Sequence, residues 1–98
     1  MQKYLNGLVV LNFTAEGCMP CRLQKPIFQQ AAEELAGVAA FYVVDLSEQP
    51  ALAARFGVMS IPTIVVLRDG EERWRSVGLT EKDEIVGAIN NEQLTMNN

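Results

Sequence analysis

The sequence contains no histidine, and only two of its 98 residues are cysteine. Without histidine, a Cys-His nucleophile pair and covalent haem of the Cys-x-x-Cys-His type are excluded. Tetrahedral zinc sites use four ligands, so the two cysteines would need carboxylates or a second chain to hold this metal. We therefore expect no bound metal and no cofactor.

An excess of positive charge is also lacking, since eight basic residues stand against twelve acidic ones and the net charge is -4. Surfaces that bind nucleic acid or anionic membranes are usually basic, because they neutralise phosphates. The longest apolar runs, Leu8 to Leu11 and Ile61 to Leu67, fall far short of the roughly 20 residues that a membrane span needs. We expect neither nucleic acid nor a membrane as a partner.

The sequence also lacks the features of a secreted protein. Residues 1 to 7 carry one basic residue and lead into an apolar segment without a small-residue cleavage site. Two cysteines separated by two residues cannot join distant parts of a chain, so they are not a scaffold disulfide. A cytoplasmic location is therefore favoured. The length and the 49% of hydrophobic residues favour a single domain over residues 1 to 98.

Apolar periodicity predicts alternating strands and helices. The first helix has an apolar stripe at every fourth residue, formed by Leu23, Ile27, Ala31 and Leu35. The last helix, with Ile85 and Ile89, is expected to fray at Asn90 into a polar tail at about residues 91 to 98. The predicted strands are Leu8 to Phe13, Val38 to Asp45, Thr63 to Leu67 and Glu71 to Val77, with a short helix at Pro50 to Phe56.

The order β-α-β-α-β-β-α predicts an α/β fold with a four-stranded mixed sheet flanked by helices. The first two strands are expected to pair in parallel through a crossover helix. Asp69-Gly70 suits a tight turn with positive φ, so the last two strands are expected to form an antiparallel hairpin at one edge. Alternation along that edge strand places Trp74 on the core side, opposite Arg73 and Arg75.

The two cysteines lie in the run Cys18-Met19-Pro20-Cys21, just after the first strand and at the start of the first helix. Sites in open α/β sheets lie beyond the carboxyl ends of the parallel strands. A helix N-terminus offers unpaired N–H groups and a partial positive charge, which favour a thiolate. Cys18 is the predicted nucleophile. Cys21, one turn further along, is the predicted resolving thiol, and Pro20 costs no hydrogen bond in the first turn.

The motif alone also allows half of a zinc site or a pair of inert buried cysteines. The chain also contains an internal Pro26 in the first helix and the turn Ser60-Ile61-Pro62-Thr63. Together with the two cysteines and the strand before them, these features resemble the thioredoxin family, and the resemblance extends from Leu8 to Asn90. It implies the thioredoxin fold and a thiol-disulfide oxidoreductase that reduces protein disulfides. A reductase or another thiol donor would reduce the Cys18–Cys21 disulfide after each cycle. The expected oligomeric state is a monomer.

The resemblance also implies roles for residues around the cysteines. Pro62 would be a cis-proline that positions substrate, opposite Cys18 and Cys21. A largely apolar collar would bind the substrate segment. Its expected members are Gly17, Met59, Ser60, Ile61 and Gly78, with Met19 and Leu79 beside them.

The chain departs from the family where thioredoxin has a buried aspartate and a lysine, because Asn12 and Val43 stand there. Replacing both residues avoids the energetic cost of leaving one buried charge without its partner. An amide cannot accept a proton, so Cys21 would depend on water, the leaving thiolate or Glu16. Slower resolution of mixed disulfides is expected. The predicted tuning residues are Asn12, Glu16, Pro20 and Met19, which replaces a glycine of the family motif.

Two further functions are compatible with these residues. A protein-disulfide oxidase or isomerase would use the same two cysteines, with the reduced form the more stable one. A non-catalytic thioredoxin-like module would bind a partner through the collar, or sense redox state, without turnover. The missing aspartate and the absence of tryptophan beside the cysteines support this last alternative, while the reductase is the leading hypothesis.

Overall fold

The computed structural model describes residue 4 and residues 6 to 96; residues 1 to 3, 5, 97 and 98 lie outside the described part. Its elements follow the predicted order β-α-β-α-β-β-α, which confirms the fold class. Most boundaries lie within two residues of the prediction. The elements are β1 (Leu8–Thr14), α1 (Met19–Glu34), β2 (Ala40–Asp45), α2 (Pro50–Arg55), β3 (Thr63–Arg68), β4 (Glu71–Val77) and α3 (Lys82–Met96).

The four strands form one mixed sheet in the order β2-β1-β3-β4. As predicted, β1 and β2 are parallel, and β3 and β4 form an antiparallel hairpin, with β4 at the edge. The hairpin turn places Asp69 at φ 51° and Gly70 at φ 86°, the left-handed region in which a Gly is least strained. Since β1 is central, its carboxyl end lies in the middle of the sheet, and the cysteines follow it.

Residues of β1 alternate between two apolar layers. Val9, Leu11 and Phe13 face α2, whose Leu52 and Ala53 cover them. The opposite layer is completed by α1 and α3, and its buried members include Leu8, Val10, Phe28, Ala31, Ile85 and Ile89. Since side chains alternate along a strand, Asn12 lies on the same face as Val10, under α1. No helix in the described residues is both long and apolar enough to cross a membrane.

The buried face of α1 differs from the predicted stripe. Leu23 is 54% exposed, whereas Gln24 is completely buried. The inward-facing residues are Cys21, Gln24, Phe28 and Ala31, with Leu35 just beyond the helix end. They recur at intervals of three or four, as a helix requires. The prediction was wrong for Leu23 because it counted apolar residues alone, and a polar residue occupies the inner position.

The predicted alternation along β4 is wrong for Arg73. Val66 pairs with Trp74 and Leu67 with Glu72, so Arg73 is an extra residue in the strand, a β-bulge. Trp74 packs on the layer under α1 and α3, as predicted. Arg73 reaches the same side, and its Nε donates to Glu92 of α3 at 2.9 Å.

Helix α3 does not fray at Asn90 but continues to Met96, so the polar tail predicted at about residues 91 to 98 is wrong for residues 91 to 96. Residues 97 and 98 lie outside the described part. The last turns are held by side chains. Glu92 is 6% exposed and pairs with Arg73 and Arg68, and Thr95 accepts a hydrogen bond from Arg68 at 3.0 Å.

Candidate active site

Cys18 and Cys21 are joined by a disulfide at the start of α1, with their Cα atoms 5.2 Å apart. Cys18 is the N-cap residue, and Pro20 lies in the first turn, where a missing N–H costs nothing. Cys18 is partly exposed, whereas Cys21 is only 4% exposed. One sulfur is therefore open to a partner and the other lies behind it.

The helix start directs hydrogen-bond donors at Cys18. The N–H of Cys21 donates to Sγ of Cys18 at 3.2 Å, and the N–H of Arg22 donates to the Cys18 carbonyl oxygen at 3.2 Å. A backbone N–H and the positive end of the helix both stabilise negative charge on Sγ. When the disulfide is reduced, this arrangement favours the thiolate of Cys18.

The turn between β1 and α1 brings Cys18 to the helix start. Gly17 has φ 78°, a conformation that a side chain would strain, so glycine suits the position immediately before Cys18. Glu16 is exposed on the same turn. Both residues lie beside the cysteines, as expected, although Glu16 makes no contact that assigns it a role.

A second loop approaches Cys18 from the N-terminal end of β3. The Ile61–Pro62 peptide bond is cis, and the Ile61 carbonyl oxygen lies 4.0 Å from Sγ of Cys18. Gly78 is held beside this loop, since its N–H donates to the Pro62 carbonyl oxygen at 2.8 Å. The Thr63 hydroxyl donates to the Ser60 carbonyl oxygen at 2.6 Å. The structure therefore brings Ile61 next to Cys18, with Pro62 and Gly78 joined to each other beside it.

Apolar side chains are exposed around these loops. Met19 is 63% exposed and Leu79 is 47% exposed. Met59 is 95% exposed, so its side chain projects into solvent. Gly17 and Ser60 are exposed as well. Exposed apolar side chains next to a reactive sulfur suit contact with a partner, and the assignment of these residues to substrate binding stays a prediction.

A cleft of about 510 Å³ lies between β1, β2 and α1 on the buried side of Cys21. Cys21, Asn12 and Val43 all line it. Asn12 and Val43 are register partners on the paired strands β1 and β2. Asn12 is 2% exposed and its Oδ1 has no hydrogen-bond partner in the described part of the chain, while Val43 is 57% exposed. No proton acceptor is contributed by either residue.

Charged side chains surround the mouth of this cleft. Arg22 and Lys25 of α1 line it, as do Glu16 and Asp45. The Ser47 hydroxyl and N–H donate to Oδ1 of Asp45 at 2.6 and 2.8 Å, and these bonds hold the pKa of the Asp45 carboxyl below its ordinary value. Asp45 is therefore ionised near neutral pH. Among the described residues, no group of three or more metal-ligating side chains lies together.

Sequence reasoning missed one residue next to the site. Gln24 lies one helical turn after Cys21 on the buried face of α1, where it contacts Thr80. The available signal was its position: residues three apart on a helix share a face, so a polar side chain three residues after the buried Cys21 needs a buried partner. The partner could not be named, because it lies 56 residues away in the sequence.

Known proteins resemble this chain in both sequence and structure. The family model described as Thioredoxin matches residues 2–91. The chain is 42% identical over 88 residues to a thioredoxin of Chlamydia muridarum (strain MoPn / Nigg), and the match covers 90% of this chain and 85% of that protein. It is 39% identical over 84 residues to a thioredoxin of Mycoplasma pneumoniae, with 86% of this chain and 81% of that protein covered.

Solved structures agree with the sequence matches. A thioredoxin from Malassezia sympodialis superposes with a TM-score of 0.81 at 30% identity, covering 92% of this chain and 80% of that one. A mutant thioredoxin from Halobacterium salinarum superposes with a TM-score of 0.81 at 34% identity, covering 91% and 77%. With a disulfide between Cys18 and Cys21, this chain belongs to the thioredoxin family and is a protein-disulfide oxidoreductase.

Proposed function

We propose that this protein is a cytoplasmic monomer that reduces protein disulfides, with Cys18 as the nucleophile and Cys21 as the resolving thiol. The observation that carries the proposal is the asymmetry of the two sulfurs. Sγ of Cys18 accepts the N–H of Cys21 at 3.2 Å and is open to a partner, while Cys21 is 4% exposed. An exposed thiolate in front of a buried thiol suits attack followed by resolution.

The reaction begins with the reduced protein. Sγ of Cys18 attacks a substrate disulfide, so a bond forms between Cys18 and one substrate sulfur while the substrate's own S–S bond breaks. The second substrate sulfur leaves as a thiolate and takes up a proton. Cys21 then loses its proton and attacks Sγ of Cys18, which forms the Cys18–Cys21 disulfide and releases the first substrate sulfur. Two electrons pass from the protein to the substrate.

The loop around Pro62 would position the substrate. The Ile61 carbonyl oxygen lies 4.0 Å from Sγ of Cys18, so an extended segment bound along this backbone would bring its disulfide to the nucleophile. Exposed Ser60 and Met59, with Gly17 and Gly78 on neighbouring loops, would line the same surface. Its apolar character favours partly unfolded or extended segments as substrates.

Resolution by Cys21 proceeds without a buried base. Asn12 lines the cleft with Cys21, and a carboxamide does not take up a proton near neutral pH. The proton of Cys21 therefore passes to the leaving substrate thiolate, to water or to Glu16 at the mouth of the cleft. We expect this step to limit turnover, while attack by Cys18 stays fast.

Membership of the family implies protein disulfides as substrates and a reductase as the partner that returns the electrons. A reductase or another thiol donor would work in this direction only where the surroundings are reducing, which supports the cytoplasm. The monomer is supported by the packing, because the chain's own helices cover both faces of the sheet.

The test is to trap the mixed disulfide. In a Cys21→Ser variant, Cys18 attacks substrates and cannot be released, so we expect covalent conjugates on non-reducing electrophoresis that dithiothreitol removes. Cys18→Ser is the matched control, and it should give no conjugates because Cys21 is buried. Equal conjugates from both variants would contradict the assigned roles. A Cys18→Ser protein that keeps full biological activity would instead support the non-catalytic module.

A further inference from the structure

Gln24 is a completely buried polar residue on the helix that carries the cysteines. Its carboxamide makes two hydrogen bonds to the backbone of Thr80. Nε2 donates to the Thr80 carbonyl oxygen at 3.0 Å, and Oε1 accepts the Thr80 N–H at 2.8 Å. The amide therefore pairs with the Thr80 backbone as one peptide group pairs with another, and both bonds are shielded from water.

The segment Gly78 to Thr80 connects this amide to the substrate-binding side of the site. The Thr80 hydroxyl donates to the Gly78 carbonyl oxygen at 3.0 Å, and the Gly78 N–H donates to the Pro62 carbonyl oxygen at 2.8 Å. The Ile61 carbonyl oxygen, one residue before Pro62, lies 4.0 Å from Sγ of Cys18. The contacts therefore lead from Gln24 to Thr80, from Thr80 to Gly78, and from Gly78 to the Pro62 loop. That loop reaches Sγ of Cys18 through the Ile61 carbonyl oxygen.

Packing alone does not require glutamine at this position. The neighbouring inward-facing residues of α1, Phe28 and Ala31, are apolar, and an apolar side chain of similar volume would fill the same space. A glutamine adds two directional hydrogen bonds, which fix both the distance and the orientation of the Thr80 backbone relative to α1. Removing the carboxamide would leave a buried N–H and a buried carbonyl group without partners.

We propose that Gln24 is a positioning residue that fixes the segment Gly78 to Thr80 against the Pro62 loop, and thereby sets the affinity for protein disulfides without taking part in the chemistry. This inference rests on the proposed function, since it concerns how a protein substrate is held. A small disulfide needs only Cys18 and Cys21, so its reduction does not depend on this segment.

The test compares Gln24→Leu with wild type on two substrates, insulin and 2-hydroxyethyl disulfide. We expect the KM for insulin to rise about 3- to 10-fold, the effect of losing one or two hydrogen bonds, with kcat unchanged. The rate with 2-hydroxyethyl disulfide should stay within about twofold of wild type. Gln30→Leu is the matched control, since it makes the same change at an exposed position of the same helix.

Gln24→Glu provides a second test, should the leucine variant fold poorly. An ionised carboxylate accepts from the Thr80 N–H but cannot donate to the Thr80 carbonyl oxygen, whereas a protonated carboxyl does both. The KM for insulin should therefore be raised at neutral pH and approach the wild-type value as the pH falls. Wild type measured over the same pH range corrects for the titration of the cysteines.

Three results would overturn the inference. The first is a KM for insulin in Gln24→Leu equal to that of wild type. The second is an equal loss with both substrates, which indicates a structural role only. The third is a Gln24→Glu protein whose KM follows the wild-type pH profile. If wild type itself left insulin oxidised, the proposed function would fall and the inference with it, and every variant would then fail alike.

Discussion

Asn12 places a neutral amide in the cleft beside Cys21, the proposed resolving cysteine, where a base would assist loss of its proton. It is 2% exposed and lines the cleft with Cys21. Its Oδ1 is buried without a hydrogen-bond partner in the described residues. A carboxamide takes up no proton near neutral pH, which makes Asn12 the most informative single substitution.

Asn12→Asp should speed resolution and weaken the fold. A carboxylate beside Cys21 can accept its proton, so release of substrate from the Cys18 mixed disulfide should become about tenfold faster or more in single-turnover measurements. With Val43 opposite instead of a cation, the buried charge should lower the free energy of unfolding by about 1 to 3 kcal/mol at pH 7. Asn12→Ala removes the amide without adding a base, and equal release rates in the two variants would contradict the prediction.

Charged side chains join elements whose contact no apolar pattern predicts. Arg75 of β4 donates to both carboxylate oxygens of Glu72, at 2.7 and 2.8 Å, and also to the Phe56 carbonyl oxygen. Phe56 is the C-cap residue of α2. The same guanidinium therefore gives a hydrogen-bond partner to a free carbonyl group at the end of α2 and forms an ion pair with a neighbour on its own strand.

Glu72→Gln should remove part of the pH dependence of stability. The hydrogen bond from Arg75 holds the pKa of Glu72 below its ordinary value of 4.5, so the ionised form stabilises the fold. That contribution is complete above pH 4.5 and is lost as the pH falls through the lowered pKa. Urea denaturation should show the variant less stable by about 0.5 to 1 kcal/mol at pH 7, with the difference shrinking as the pH falls below 4.5.

The control for this measurement is Glu71→Gln, the exposed neighbour on the same strand. It changes the net charge equally and leaves the contact with Arg75 in place. A difference between wild type and Glu72→Gln that stays constant from pH 7 to pH 3 would show that the ion pair is not its source.

For the molecule as a whole, the fold was predictable because its signals are local. The apolar run from Leu8 to Phe13, the Asp69-Gly70 turn and the cysteines after β1 all gave the correct element in the correct place. Features that depend on distant partners were not predictable. The inward position of Gln24, the bulge at Arg73 and the continuation of α3 past Asn90 each depend on a residue elsewhere in the chain.

The direction of catalysis should appear in the stability of the two redox states. In a protein-disulfide reductase the disulfide stabilises the folded chain, whereas in an oxidase the reduced form is the more stable one. For a reductase, the oxidised protein should therefore unfold at the higher temperature. Closing so short a ring is worth about 2 kcal/mol, which predicts a Tm higher by about 5 °C or more. Thermal unfolding with and without dithiothreitol measures this, with the double variant Cys18→Ser/Cys21→Ser as control. A more stable reduced form would indicate an oxidase.

The bulge at Arg73 has a further consequence for the behaviour of the protein at high concentration. It interrupts the hydrogen-bonding pattern of β4, an edge strand on which Glu71, Glu72 and Arg73 are all exposed. A regular edge is a template on which another molecule can add a strand, whereas a bulged and charged edge is a poor one. We therefore expect this edge of the sheet to resist the strand addition that builds fibrillar aggregates.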